Sequence, residues 1–378
     1  MRRLAMLFTV FVLLLNTSLA QNSKGQLESD RFWENASQGF ESLSSSRVIQ
    51  AAQSISKLDI TQDSLHSEWS SLVNNAFDPD VHRIVLIADK RKIIHRKYNE
   101  KWVNESSRPV SFSMAKSLVS LTVGHALCSG AIRSLDEAAG IYSRRLRDTS
   151  WGQAKVRHLL AMSSGSNRPV FSSTGSPTAQ VQAETLAKSY EGKITVDLID
   201  LMRRADEHDS PSGVNGLYNN LDTQALAFLV EDATGKSFLD YFEQTVWAAA
   251  GAAHPARWFH NSRSQVLAFS GFTAHPYDWL RIANYVLEER VKNSCFGQYI
   301  RDATSRQSDL ILPNGKVAYG YQIYPGCGGT DAFCFLGHGG QRLVMSPSTG
   351  LVMYVHGTSL AAGQPLMSLY KNLMQGIR

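Results

Sequence analysis

Two strand–turn–strand patterns stand near opposite ends of this chain, and together they limit its architecture more than any other feature. The first has an apolar run at Ile84, Val85, Leu86 and Ile87 within a strand over 81–88, a turn at 89–92 and a second strand over 93–98. The second has a short strand over 342–345, the turn Ser346-Pro347-Ser348-Thr349-Gly350, and an apolar, β-branched strand over 351–355. A third alternating stretch, 317–324, reads as another strand. Between the hairpins, helical spacing dominates. Ala115, Leu118, Val119, Thr122, Val123, Ala126 and Leu127 mark a helix from about 113 to 128, with Ser111 as its cap and Gly130 as its stop. Residues 224–242 read as two helical pieces broken at Gly235, and Pro365 opens a last helix to about 374. Hairpins so far apart in the chain satisfy each other by pairing into one antiparallel sheet, covered by the first and last helices. The expected class is α+β, with a helical insertion over about 131–300.

With 43% hydrophobic residues over 378 positions there is ample material for a core, and no internal repeat is visible. The net charge of +5 is scattered; its one short run, Lys90-Arg91-Lys92, sits in a turn without the aromatic or glycine context of a nucleic-acid site. At the N-terminus, Arg2 and Arg3 precede an apolar run over 4–15 and then Ser18-Leu19-Ala20, the pattern of a cleaved export signal. The run is short for a membrane span, and no cysteine follows it to carry a lipid. The expectation is cleavage after Ala20 and a periplasmic or secreted product with no stable anchor, the alternative being a leader that remains attached. Residues 21–75 read as an extension that packs on, or hangs from, a main domain over 76–378. An oxidising compartment permits disulfides among Cys128, Cys295, Cys327 and Cys334. Cys327 and Cys334 are near enough for a local staple, whereas Cys128, in an apolar helix, reads as a buried thiol. No metal-ligand spacing and no phosphate loop is present, so no metal or cofactor is expected.

Three short pieces carry the chemistry. Ser-x-x-Lys occurs three times, at Ser54–Lys57, Ser113–Lys116 and Ser368–Lys371. Only Ser113 lies in the first turn of the apolar helix after the first hairpin. There the unpaired N–H groups and the positive end of the helix dipole favour developing negative charge, and Lys116 shares its face. A lysine in a dry pocket loses its proton easily and can accept one from serine. Tyr218-Asn219-Asn220 follows a turn-rich stretch and precedes a helix. A phenol beside serine and lysine can work as base and then acid, and Asn220 can hold the lysine and a substrate amide or ester. Tyr370-Lys371-Asn372 has the same spacing but lies inside the last helix. The third piece is His338-Gly339-Gly340. Its glycines allow a substrate backbone to approach, the N–H of Gln341 offers a second oxyanion donor, and His338 a hydrogen bond. There is no Gly-x-Ser-x-Gly elbow.

In this order the pieces resemble the serine β-lactamase-like hydrolases: class C β-lactamases, DD-peptidases, family VIII esterases and aminohexanoate-dimer hydrolases. The likeness runs from about residue 80 to the end, through Ser111-Phe112-Ser113-Met114-Ala115-Lys116-Ser117, Arg157-His158-Leu159-Leu160-Ala161-Met162-Ser163-Ser164-Gly165, Tyr319-Gly320-Tyr321-Gln322 and Gly337-His338-Gly339-Gly340-Gln341. It is closest to the esterase and nylon-oligomer-hydrolase branch. The resemblance implies a β-lactamase/transpeptidase-like antiparallel sheet flanked by helices, with an all-helical subdomain. It also implies Ser113 as nucleophile, Lys116 and Tyr218 as the base pair, and the Ser113 and Gln341 amides as oxyanion donors.

One motif departs from the family. β-Lactamases and DD-peptidases carry Lys-Thr-Gly where this chain has His338-Gly339-Gly340, and their lysine attracts a substrate carboxylate. A histidine is mostly neutral at pH 7, and Gly339 lacks the hydroxyl. The departure favours a neutral small-molecule ester or amide over a β-lactam or peptidoglycan peptide. Arg342 is a second candidate cation whose direction the sequence leaves open. A β-lactamase or DD-peptidase remains the alternative within the same chemistry, and a silent ligand-binding module the alternative outside it. Neither the natural substrate nor the oligomeric state is legible.

Overall fold

The structure, a computed structural model, describes residues 23–40, 45–60, 67–166, 196–206, 210–312, 315–329, 331–359 and 363–376. The export signal read over residues 1–20 lies outside the described residues. The chain begins with helix α1 (Ser23–Ser37), strand β1 (Ser46–Ile49) and helix α2 (Ser67–Ala76). The first hairpin is β2 (His82–Asp89) and β3 (Lys92–Tyr98), joined where Lys90 adopts a positive φ of 52°. The last hairpin is β10 (Gln341–Met345) and β11 (Leu351–Gly357). Between them come helices α3 (Met114–Cys128), α4 (Asn220–Thr234), α5 (Pro276–Arg290) and α6 (Cys295–Ala303). Helix α7 (Gly363–Gly376) follows the last hairpin.

The two hairpins meet as their patterns require. Strand β11 pairs antiparallel with β2 from Leu351↔Asp89 to Gly357↔His82. With β8 (Tyr324–Pro325) and β9 (Phe333–Gly337) they form one six-stranded sheet of order β3-β2-β11-β10-β9-β8. Because side chains alternate across a strand, one face presents Ile84, Leu86, Leu343, Met345, Val352 and Tyr354 to the core around α3. The other face presents Val85, Ile87, Val344, Met353 and Val355 to α2 and α7. Helix α3 is buried on almost every side. Each such large aliphatic side chain withdrawn from water contributes about 1.5–3 kcal/mol, so the motif-bearing helix is held firmly in the main core.

Three details differ from the sequence reading, and others agree with it. The stretch 317–324 is not one strand. Strand β7 (Gly315–Tyr319) pairs with β6 (Ser308–Leu312) in a separate two-stranded sheet, and the chain turns at Gly320, whose N–H bonds Ile323 O at 2.8 Å. The turn needs Gln322 at φ 58°, and its side-chain amide is clamped by the carbonyls of Leu159 and Leu160. Cys128 is no free thiol: it is bonded to Cys295, tying the end of α3 to the start of α6. The Cys327–Cys334 staple is present. Among the described residues, the region 131–300 holds separate helices and loops up to Ala250 and then supplies two short strands, β4 (Ala256–Phe259) and β5 (Phe272–Thr273), before helix returns in α5. Strand β4 also pairs with β1, so the N-terminal extension is stitched to the main domain. Helix α4 ends where Gly235 takes φ 67°, a left-handed cap that glycine adopts without strain.

Candidate active site

Chain direction reverses sharply just before α3. Phe112 has φ 47°, a left-handed conformation costly for a side chain of this size. Its ring is 3% exposed and wedged among Val110, Phe259 and Phe269, and this packing holds the turn. Ser113 follows at the helix cap position. The next backbone donors reach back over one short turn, Met114 N–H to Ser111 O and Ala115 N–H to Phe112 O. The helix thus starts one residue after Ser113, and Ser111 serves it through its carbonyl, not its hydroxyl.

Lys116, one turn along, is 1% exposed. Its Nζ lies 3.0 Å from Ser113 Oγ and donates to Phe269 O at 2.8 Å. It also stands 5.0 Å from the centre of the Tyr218 ring and 5.6 Å from that of Phe269. None of the ion pairs among the described residues involves it. Burial, with no charge opposing it, pulls its pKa well below that of a free lysine. A neutral amine with one N–H on Phe269 O can turn its lone pair toward the Ser113 hydroxyl.

Tyr218 is buried just before α4 and hydrogen-bonds Ser113; burial pushes its phenol up, the serine bond opposing this in part. It is held from behind by Met162, Leu310 and Tyr319. Leu217 N–H bonds Met162 O at 2.8 Å, and Asn219 caps α4 by accepting from Leu221 N–H at 2.9 Å. Asn220 is buried at the first position of α4; among the described residues its amide makes no hydrogen bond, and the Phe269 carbonyl holds the lysine instead. No sequence signal marks Phe269, because its contribution is main-chain.

The His338-Gly339-Gly340 turn joins β9 to β10 beside Ser113. A Cβ on Gly337 would lie 2.4 Å from Ser111 O, so the two turns touch backbone to backbone. Gly339 and Gly340 have φ 73° and 86°. The His338 ring is stacked on Trp33 of α1, centroids 5.6 Å apart at 19°, and meets Phe112 edge-on at 5.6 Å. Burial lowers its pKa to about 4, so at neutral pH it carries no charge. The Gln341 side chain braces the hairpin, donating to His338 O and Gly357 O and accepting from Gly357 N–H. The side chain is thus engaged within the hairpin. Arg342 alternates with Leu343 and so shares the sheet face of Val344, directed away from α3. The other Ser-x-x-Lys at the C-terminus lies exposed on α7. His158 bonds Ser212 and His254 bonds Asp278.

Four residues into the Tyr218 segment lies a further buried acid. Asp222 Oδ1 accepts from Trp151 Nε1 at 2.9 Å and Ser164 Oγ at 2.7 Å, while its Oδ2 has no hydrogen-bond partner among the described residues. Burial outweighs those bonds and raises its pKa to about 7. Among the described residues no cluster of His, Cys, Asp and Glu could hold a metal ion, and no helix is long and apolar enough to cross a membrane.

A buried Ser-x-x-Lys helix start, a tyrosine on the serine and a β-hairpin turn alongside are thus in one place. The family model described as Beta-lactamase matches residues 83–366. The chain belongs to the Beta-lactamase family. No curated protein matches the sequence. A Bacillus anthracis protein provisionally described as a 6-aminohexanoate-dimer hydrolase superposes with a TM-score of 0.74 at 18% identity, over 92% of this chain and 94% of that one. A penicillin-binding protein of Bacillus halodurans gives 0.61 at 15% identity, over 81% and 100%. EstCE1, a hydrolase with promiscuous acyltransferase activity, gives 0.60 at 12%, over 80% and 96%. At these identities the neighbours establish the Beta-lactamase fold and not a substrate.

Proposed function

We propose that this member of the Beta-lactamase family is an exported serine hydrolase that cleaves neutral carboxylic esters or amides through an acyl-enzyme on Ser113. The observation that carries the reading is the buried Lys116 amine, without an acid partner among the described residues and 3.0 Å from Ser113 Oγ. In acylation Ser113 Oγ attacks the carbonyl carbon while its proton passes to Lys116 Nζ, making an ammonium. The oxyanion lies between the N–H groups of Ser113 and Gln341. Collapse expels the leaving alcohol or amine, which takes a proton from the Tyr218 phenol as Lys116 returns its own to the phenolate. Water then repeats the sequence, releasing the acid and restoring the serine. Among the described residues, an uncharged His338 and an averted Arg342 leave the turn beside Ser113 without a cation of its own, which supports neutral substrates over carboxylates. Export is supported by the basic, apolar and small-residue order of residues 2–20 and by two disulfides.

The test is intact-mass measurement after a fluorophosphonate probe, with Ser113→Ala alongside. One adduct on the wild type and none on the variant is expected. No adduct on folded wild-type protein would sink the hydrolase reading in favour of a ligand-binding module. Rapid nitrocefin turnover would move the substrate class to β-lactams.

A further inference from the structure

Gly339 is glycine for a reason found far away in the chain. A Cβ there would lie 2.3 Å from Trp33 Cη2 and 2.5 Å from Cζ3. The indole therefore occupies the volume a side chain at position 339 would take, at a turn that touches the Ser113 segment. Its place is secured from several directions. Trp33 meets Phe112 at 5.8 Å and 64°, and Phe32 meets Phe112 at 6.2 Å. Ser37 Oγ donates to Trp33 O at 2.8 Å and pairs with His356 Nε2 of β11 at 3.2 Å. Val110 N–H donates to Ala36 O at 2.9 Å, two residues before the strained Phe112. Trp33 and His338 are nevertheless half-buried, not sealed. What the N-terminal helix brings to the turn beside Ser113 is a half-buried aromatic pair, the Trp33 indole stacked on the His338 ring.

We propose that Trp33 is a specificity-determining residue, forming with His338, and backed by the buried Phe112, an apolar wall beside Ser113 that selects substrates carrying an aryl or alkyl group next to the scissile bond and disfavours a carboxylate there. This rests on the ester or amide hydrolase reading above. An aryl group finds stacking partners in the wall, and an alkyl chain loses water-exposed area on it. A carboxylate finds no cation in this wall and loses hydration.

The experiment compares kcat/KM of the purified full-length protein for methyl acetate, methyl hexanoate, phenyl acetate and the monoanion of monomethyl adipate, in wild type, Trp33→Ala and Trp33→Phe. The wild type should prefer hexanoate or phenyl acetate over methyl acetate and turn over the monoanion poorly. Trp33→Ala should shrink at least one of the two apolar preferences about tenfold, and Trp33→Phe should restore most of it. A merely structural role would lower all four substrates by one factor and leave the ratios unchanged, overturning the proposal. So would a wild type active on the esters with no apolar preference. A wild type inert toward every ester and amide would bring down the hydrolase reading itself, and this proposal with it.

Discussion

Asp222→Asn tests the electrostatics of the site by a route that does not need a substrate. The carboxyl is fully buried, with one oxygen on Trp151 and Ser164 and the other bare. Its folded pKa of about 7 stands above an ordinary aspartate's 3.8. The sign follows from proton binding. Below 3.8 both folded and unfolded chains hold the proton and the group is neutral in its effect. Between 3.8 and about 7 the unfolded chain ionises first, so the folded state loses stability as pH rises; above about 7 the penalty is constant. At 1.36 kcal/mol for each decade of proton affinity, the full penalty is about 4 kcal/mol. Asparagine keeps an oxygen for Trp151 and Ser164 and cannot ionise. Guanidinium unfolding of wild type and variant from pH 4 to pH 8, disulfides intact, should therefore give a variant whose relative stability climbs by up to about 4 kcal/mol across that window. Other titrating groups cancel in the difference. A difference that stays flat across pH would refute the argument, because it would mean that Asp222 ionises as readily in the folded protein as in the unfolded chain.

Lys116→Met should reduce turnover of any accepted ester by about a thousandfold, the scale of a lost general base. The same substitution should raise the melting temperature at pH 7: a lysine whose folded pKa is depressed destabilises the fold at every pH below the ordinary 10.5, and the gain should fade as pH approaches that value. Replacing Cys128 and Cys295 by serine frees a loop of 167 residues in the unfolded chain and should cost about 5 kcal/mol by chain entropy, against about 2.5 kcal/mol for the seven-residue Cys327–Cys334 loop. Parallel denaturant titrations rank the two; equal losses would contradict the loop-entropy account.

Legibility from sequence followed the range of the forces involved. Both hairpins, the buried helix after Ser113 and the break at Gly235 announce themselves within a dozen residues, through periodicity and turn chemistry. The proximity of Ser113 and Lys116 is legible in a helical spacing of three, and that of Tyr218 only through the family resemblance. What stayed hidden is what depends on long-range contact. Phe269 offers only a main-chain oxygen, which no side chain advertises. Trp33 lies in a helix of ordinary composition, and nothing local says that its ring meets Gly339. The Cys128–Cys295 bond requires knowing that α3 and α6 cross, with Gly124 against the Tyr299 ring. The break at Gly320 is hidden because alternation continues in the sequence after the backbone has turned.

The pairing of β2 with β11 also sets the order of events at synthesis. A growing chain completes the first hairpin and α3 early, with Ser113 and Lys116 already in place along the sequence. Yet β2 has its second neighbour only when residues 351–357 have been made. Until then its outer edge is a row of unpaired backbone groups, open to a neighbouring chain. Contacts of such sequence separation make for slow folding. A chain stopped short of β11 would carry the serine, lysine and tyrosine without the sheet that aligns them, and would be sticky before it could be active. Production by vectorial synthesis therefore favours whatever keeps the chain extended until its end is made, and passage through a membrane in the unfolded state would do so.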